Sequence, residues 1–362
     1  MQKTLLKRIK FGPNTYVIKI RSYCRHRKYM EEKKMIKREN YIDFVRGIVI
    51  IQVIQIHTSF HSGGMYLPDI FRNVSLFLDV PVFFILTGMT FASVGKLNPV
   101  KQMLKISLVF TFFLIFYQIA FSDYSIEKIV RSIFLNFTDI PKFPTVGASY
   151  WFIPVYVSSV LLTYIIYNYF SWFRWPFVLL SFIYYLLIYT KVYTFDCIVL
   201  LSTLRYCLFY TSLIILGTEL SKATTKQLIF LMITSIVAII VFKFYKVNLQ
   251  ESKFPINIPY IICSLPSCFI ILALKRRLNS IYTPIVNYIG QNSIFFYLTQ
   301  GVGASILFDA LPYMTFENIY LKYILCLSIN LIFSIFLGYL YCYSYKFVKE
   351  KFLNFNFKRS VL

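Results

Sequence analysis

The sequence predicts an all-α, polytopic integral membrane protein with about ten transmembrane helices and both termini in the cytoplasm. Three observations carry this expectation. Of 362 residues, 58% are hydrophobic and the mean hydropathy is +0.63, which is not the make-up of a soluble domain. Apolar runs of about 20 residues recur along the chain between short polar stretches, without the ten-residue alternation of a membrane barrel. Basic residues gather in alternate connecting stretches, as the positive-inside rule requires.

The chain opens on a basic segment, residues 1–39, which holds thirteen Lys or Arg. It lacks the apolar core and the small-residue cleavage site of a signal peptide. Its middle, Tyr16 to Ile36, alternates basic and apolar residues. Two readings stand side by side: a helix lying on the membrane surface, or an unstructured basic tail. The formal net charge of +23 sits mainly here and in alternate loops. That distribution fits an anionic inner leaflet, so membrane lipids are expected partners and nucleic acid is not.

Ten spans follow, at roughly 42–61, 71–95, 104–122, 150–169, 174–191, 197–218, 227–246, 256–274, 284–307 and 320–345. They form one transmembrane domain, residues 40–346, followed by a basic cytoplasmic tail, residues 347–362. With the N-terminus inside, Lys96, Lys101, Lys105, Arg174, Lys222, Lys226, Lys275, Arg276 and Arg277 fall on the cytoplasmic side. One outer loop breaks the pattern: Lys243, Lys246 and Lys253 are opposed only by Glu251. The longest outer loop, about 123–149, carries Pro141, Pro144 and Gly147 and is placed to cover a cavity mouth. The seven cysteines have no paired spacing for a metal or a disulfide framework and read as small apolar residues of the spans.

The first span is the most informative. Asn40 to Thr58 reads NYIDFVRGIVIIQVIQIHT, an apolar run holding Asp43, Arg46, Gln52, Gln55 and His57. Ionisable groups cost a few kcal/mol or more each near a bilayer centre, so a plain anchor would not carry them. Asp43, Arg46, Ile50, Val53, His57 and His61 follow one helical stripe. His57 would stand about 16 Å beyond Arg46 along the axis. The spacing suits a cation near one membrane surface and a titratable imidazole in a cavity; a helix end anchored by Asp43 and Arg46, with His57 bonded to a neighbouring helix, is the plainer alternative.

Later spans add four features. The second reads Asp79-Val-Pro81, then Phe83-Phe84, then Thr87-Gly88, a small pair that permits close helix approach. The fourth opens on Tyr150-Trp151-Phe152, at a position where aromatics ordinarily anchor a span at the interface. The sixth carries Arg205 inside an apolar run, which requires a partner or a wet cavity, and ends in Gly217-Thr218-Glu219, with Glu219 expected as a solvated charge at the cytoplasmic edge. The ninth begins Gly290-Gln-Asn292-Ser293 and continues to Tyr297-Leu298 and Gln300.

Taken in order, these motifs resemble the acyltransferase 3 family, integral-membrane O-acyltransferases of bacteria that modify surface polysaccharides. The matching stretches are Asp43, Arg46-Gly47 and His57; Asp79, Phe83-Phe84 and Thr87-Gly88; Trp151-Phe152; and Gly290, Ser293, Tyr297 and Leu298. The resemblance covers about residues 39–345. Two departures stand out: Thr87 replaces the usual serine, and Gln300 stands where the family commonly has a histidine. Glutamine forms hydrogen bonds but exchanges no proton near neutrality.

The resemblance implies transfer of an acetyl group from cytoplasmic acetyl-CoA, used as donor without a metal, to a hydroxyl of a glycan or lipid-linked glycan at the outer face. It implies a multi-pass protein of the bacterial cytoplasmic membrane, with polysaccharide-biosynthesis machinery as a further partner. His57 is then the expected central group, as general base or as transient acyl carrier. Arg46 is expected to hold donor phosphates, supplemented by Lys101 and Lys105, with Asp43 orienting it. Asp79, Thr87, Trp151, Arg205, Ser293 and Gln300 are expected to line the substrate cavity. A transporter or flippase, or a non-catalytic membrane component of polysaccharide export, is the competing expectation, although the chain lacks the internal symmetry common in transporters.

Overall fold

A computed structural model describes residues 40–61, 67–94, 98–120, 126–127, 150–190, 199–278, 280–310 and 313–359. The basic segment 1–39, Lys96, and most of the 123–149 loop lie outside the described residues. Among the described residues there is no strand, and helices occupy each of the ten intervals expected to cross the membrane.

In chain order the helices are α1 (Asn40–His61), α2 (Asp69–Ser75), α3 (Val80–Val94), α4 (Pro99–Ala120), α5 (Phe152–Tyr169), α6 (Arg174–Tyr189), α7 (Val199–Leu220), α8 (Thr225–Val241), α9 (Leu249–Lys253), α10 (Ile258–Leu278), α11 (Pro284–Gln291), α12 (Ser293–Ala310) and α13 (Ile319–Arg359). Among the described residues, seven apolar stretches are long enough to cross a bilayer. The rest of the expected spans take other forms. The sixth is the 22-residue α7, which carries Arg205 and Glu219. The seventh, α8, has 17 residues, closed at its start by a reciprocal capping box between Thr224 and Gln227.

Two expected spans are broken rather than continuous. The second comprises α2, a 3-10 turn at Leu76–Leu78, and α3, with the interruption at Asp79, which is extended. Pro81 follows the break as the second residue of α3, in the first turn, where its missing N–H forfeits no intrahelical bond. The ninth is α11 and α12, parted at Asn292. The last helix runs on to Arg359, so the stretch after Lys346 continues the helix of the tenth span.

Glycines set the tightest crossings. A Cβ on Gly290 would lie 1.7 Å from the Asp43 carbonyl, and one on Gly47 would lie 2.1 Å from the Val286 carbonyl. Helices α1 and α11 therefore meet backbone to backbone. Asn287 of α11 completes the contact by donating to the Asn40 carbonyl at 2.9 Å. Helices α3 and α7 cross in the same manner, with Gly88 against the Ile214 carbonyl and Gly217 against the Ile85 carbonyl. Thr218 donates to the Gly88 carbonyl at 3.1 Å. The small pair expected to admit a close neighbour at Thr87-Gly88 does so, and its partner is the Gly217-Thr218 pair of the sixth span.

Helix α1 occupies the centre, touching α3, α11, α12 and α13. Its Asp43, Ile50 and Val53 are buried, and Arg46 and His57 are half-buried, so the stripe faces the bundle. Helices α4, α6 and α13 are peripheral and present many apolar side chains outward, as a bundle bathed in hydrocarbon requires. Cys207, Cys263, Cys268, Cys326 and Cys342 are free and buried.

Glu219 departs from expectation. It lies partly buried between Arg174, 3.2 Å away, and the Tyr167 hydroxyl, which donates at 2.7 Å. The Arg174 guanidinium in turn covers the Tyr167 ring. A carboxylate at a helix end becomes part of a pinned cluster because a guanidinium and a phenol from neighbouring helices reach it.

Candidate functional site

The site is strung along α1, with Arg46 toward one end and His57 toward the other. Arg46 donates from Nη2 to Thr90 Oγ1 on α3 at 3.0 Å. Asp43 is buried one turn earlier, over the α1–α11 crossing.

The Arg46–Thr90 bond fixes the register of two antiparallel helices. Moving from 46 to 57 on α1 covers as many residues as moving from 90 back to 79, about 16 Å in each case. His57 and Asp79 therefore lie at about the same depth.

At that depth His57 Nε2 is 3.4 Å from Gln300 Nε2 of α12. The imidazole tautomer decides which of the two groups donates. The separation is long for a hydrogen bond between nitrogens. The Gln300 amide oxygen is buried without a hydrogen bond among the described residues. The position at which the sequence departs from the family pattern is thus the one that touches the imidazole.

Behind His57 a polar ladder ties α1 to α13. Asn330 donates to Thr58 Oγ1 at 2.9 Å, and Ser334 donates to Asn330 Oδ1 at 2.9 Å. Gly303 of α12 leaves the room they occupy. Ser59 and Tyr323 hydroxyls meet at 3.3 Å. Sequence reasoning passed over Asn330 and Ser334. The available signal was a pair of polar residues one turn apart in the apolar run LCLSINLIFS.

Asp79 has a partner that sequence reasoning did not supply. Lys253, at the end of α9, places Nζ 2.6 Å from Asp79 Oδ2, with the two side chains 7% and 2% exposed. Tyr260 donates to the same oxygen at 2.9 Å. The Lys253 ammonium also lies 5.8 Å from the Trp151 ring and 5.2 Å from the Phe254 ring. Lys253 was expected as a loop charge opposed only by Glu251; it is instead a buried member of an ion pair. Its pairing explains much of the basic excess in that loop, and the excess itself was the readable signal.

Trp151 packs against Tyr206, Tyr210 and Phe254, with ring centroids 5.4, 6.1 and 5.2 Å away. It is a half-buried part of an aromatic wall rather than an outward anchor. From its neighbour Phe152 the ring contacts continue to Tyr297, 4.8 Å away, one turn before Gln300 on α12.

The remaining expected residues are dispersed. Thr87 is buried, donates to the Phe83 carbonyl at 2.8 Å, and meets the Tyr156 hydroxyl at 3.4 Å. Arg205 donates from Nε to the Tyr184 hydroxyl at 3.3 Å. Ser293 is half-buried at the start of α12. Lys101 and Lys105 lie on the exposed side of α4, in a cleft shared with Lys349 of α13.

Fold and site together define a polytopic helical membrane protein with ionisable groups held inside its bundle. A family model described as an acyltransferase domain matches residues 39–343. The chain therefore belongs to the acyltransferase 3 family, on which the motif resemblance also rests. No curated protein and no solved structure matches the chain. The matched region holds Arg46, His57, Asp79, Lys253 and Gln300, so the whole candidate site lies within the family domain.

Proposed function

We propose that this membrane acyltransferase moves an acetyl group from cytoplasmic acetyl-CoA to a hydroxyl of a cell-surface glycan, in the cytoplasmic membrane of a bacterium. The observation that carries the reading is the half-buried His57 imidazole, in contact with Gln300 at the far end of α1 from Arg46. A donor that arrives from one side and an acceptor from the other require groups at both ends of one helix.

In this reading the Arg46 guanidinium, positioned by its bond to Thr90, binds donor phosphate. The acceptor hydroxyl approaches His57 Nε2, displaces the long Gln300 contact and gives up its proton there. The alcohol oxygen bonds to the acyl carbon, the carbon–sulfur bond breaks, and the imidazolium returns the proton to the leaving thiolate. Gln300 touches the imidazole at rest and takes no proton. The aromatic wall of Trp151, Tyr206 and Phe254, with the Asp79–Lys253 pair beneath it, stands at the acceptor's depth.

The family match favours this reading over a transporter. The test is acetyl transfer by the purified protein in liposomes. Label from acetyl-CoA is expected on glycan hydroxyls, with new O-acetyl signals in the glycan NMR spectrum. Label that stays on CoA, with an unchanged spectrum, would refute the proposal.

A further inference from the structure

We infer that the cleft between α4, α5 and α13 is a binding site for an anionic phospholipid. The cleft has a volume of about 730 Å³ and is lined by Lys101, Lys105 and Lys349, with no acidic residue in its lining among the described residues. Three lysines from two helices line it, and a phosphodiester is the anion a membrane supplies at such a rim.

The rest of the lining decides between a lipid and a soluble phosphate ester. Val100, Leu104 and Leu108 are 64%, 59% and 61% exposed. They recur every four residues, forming a stripe about 12 Å long that leads away from the lysines along α4. An acyl chain covers such a stripe. The adenine, ribose and amides of CoA do not, and they would leave it bare. Tyr164 of α5 and Tyr345 of α13 also line the cleft, with Asn98 and Pro99 at the start of α4. A phospholipid seated here places phosphate on the lysines, its glycerol region beside the tyrosines and a chain on the stripe. The occupant also bridges the peripheral α4 and α13. Lys101 and Lys105 then serve the bilayer, and the inference stands whether or not the transfer reaction proposed above is correct.

The experiment is native mass spectrometry of the full-length protein released from nanodiscs of mixed phosphatidylglycerol and phosphatidylcholine. The wild type should retain phosphatidylglycerol over phosphatidylcholine. The triple variant Lys101→Gln, Lys105→Gln, Lys349→Gln should lose roughly a hundredfold in that preference, while the control Lys222→Gln, Lys226→Gln, which removes two exposed lysines elsewhere, should keep it. Leu104→Gln should weaken retention with the charges intact. Equal retention of the two lipids by the wild type, or an equal loss in the control, would overturn the inference. So would displacement of bound phosphatidylglycerol by acetyl-CoA, which would return the cleft to the donor.

Discussion

The two ends of α1 are built differently. At the Arg46 end the helix is held by backbone against backbone, with Gly47 and Gly290 leaving no room for a side chain. At the His57 end it is held by side chains, through the Gln300 contact and the Asn330–Thr58 ladder, while the Asp79–Lys253–Tyr260 cluster ties neighbouring elements together. Contacts made of main chain fix position and tolerate no substitution. Contacts made of polar side chains can be remade during a reaction, since each donor can change partners. The rigid end therefore suits a site that holds, and the polar end suits a site that works.

The largest expected effect tests the polar end. Lys253→Met strands a buried carboxylate and should cost about 3–5 kcal/mol, read as a large fall in melting temperature in detergent. The double variant Lys253→Met, Asp79→Leu should recover most of that loss, because no charge is then left unpaired. If the double variant melts no higher than the single, the ion pair is not what the cluster relies on.

Gly290→Ala probes the rigid end. Its Cβ meets a carbonyl oxygen 1.7 Å away, so α11 must shift off α1. A loss of about 3 kcal/mol is expected, less the modest gain of an alanine in a helix. Melting curves matching the wild type would show that this crossing gives, and the contrast between the ends would disappear.

A smaller effect sharpens the role of Gln300. A carboxylate beside His57 favours the imidazolium, so Gln300→Glu should keep more of the ring protonated at a given pH. The neutral ring then appears only at higher pH, and the acid limb of the pH–activity curve should move upward by about one unit. An unmoved limb would mean that the ring does not act as a base.

The sequence made the spans readable because hydrocarbon thickness dictates their length, and made Arg46 and His57 readable because charge in an apolar run is costly. It did not reveal Lys253, whose partner lies 174 positions away. Nor did it show that Glu219 is pinned by Arg174 and Tyr167, since the two reach it from different helices. The break at Asn292 was half legible: Gly290 and Asn292 suit a helix start, but the apolar residues ahead of them extended the expected span back to 284. Gly47 and Gly290 were legible as motif letters, but their meaning as one crossing required both helices to be seen together. Spacing encodes what one helix presents; it does not encode which helix answers.

The central claim is that chemistry occurs at His57. Its most direct test is acetyl transfer by His57→Ala, compared with wild type at equal amounts of folded protein in liposomes. The account predicts a fall of about a hundredfold to ten-thousandfold in turnover with the melting temperature nearly unchanged. Turnover within a few-fold of wild type would contradict it.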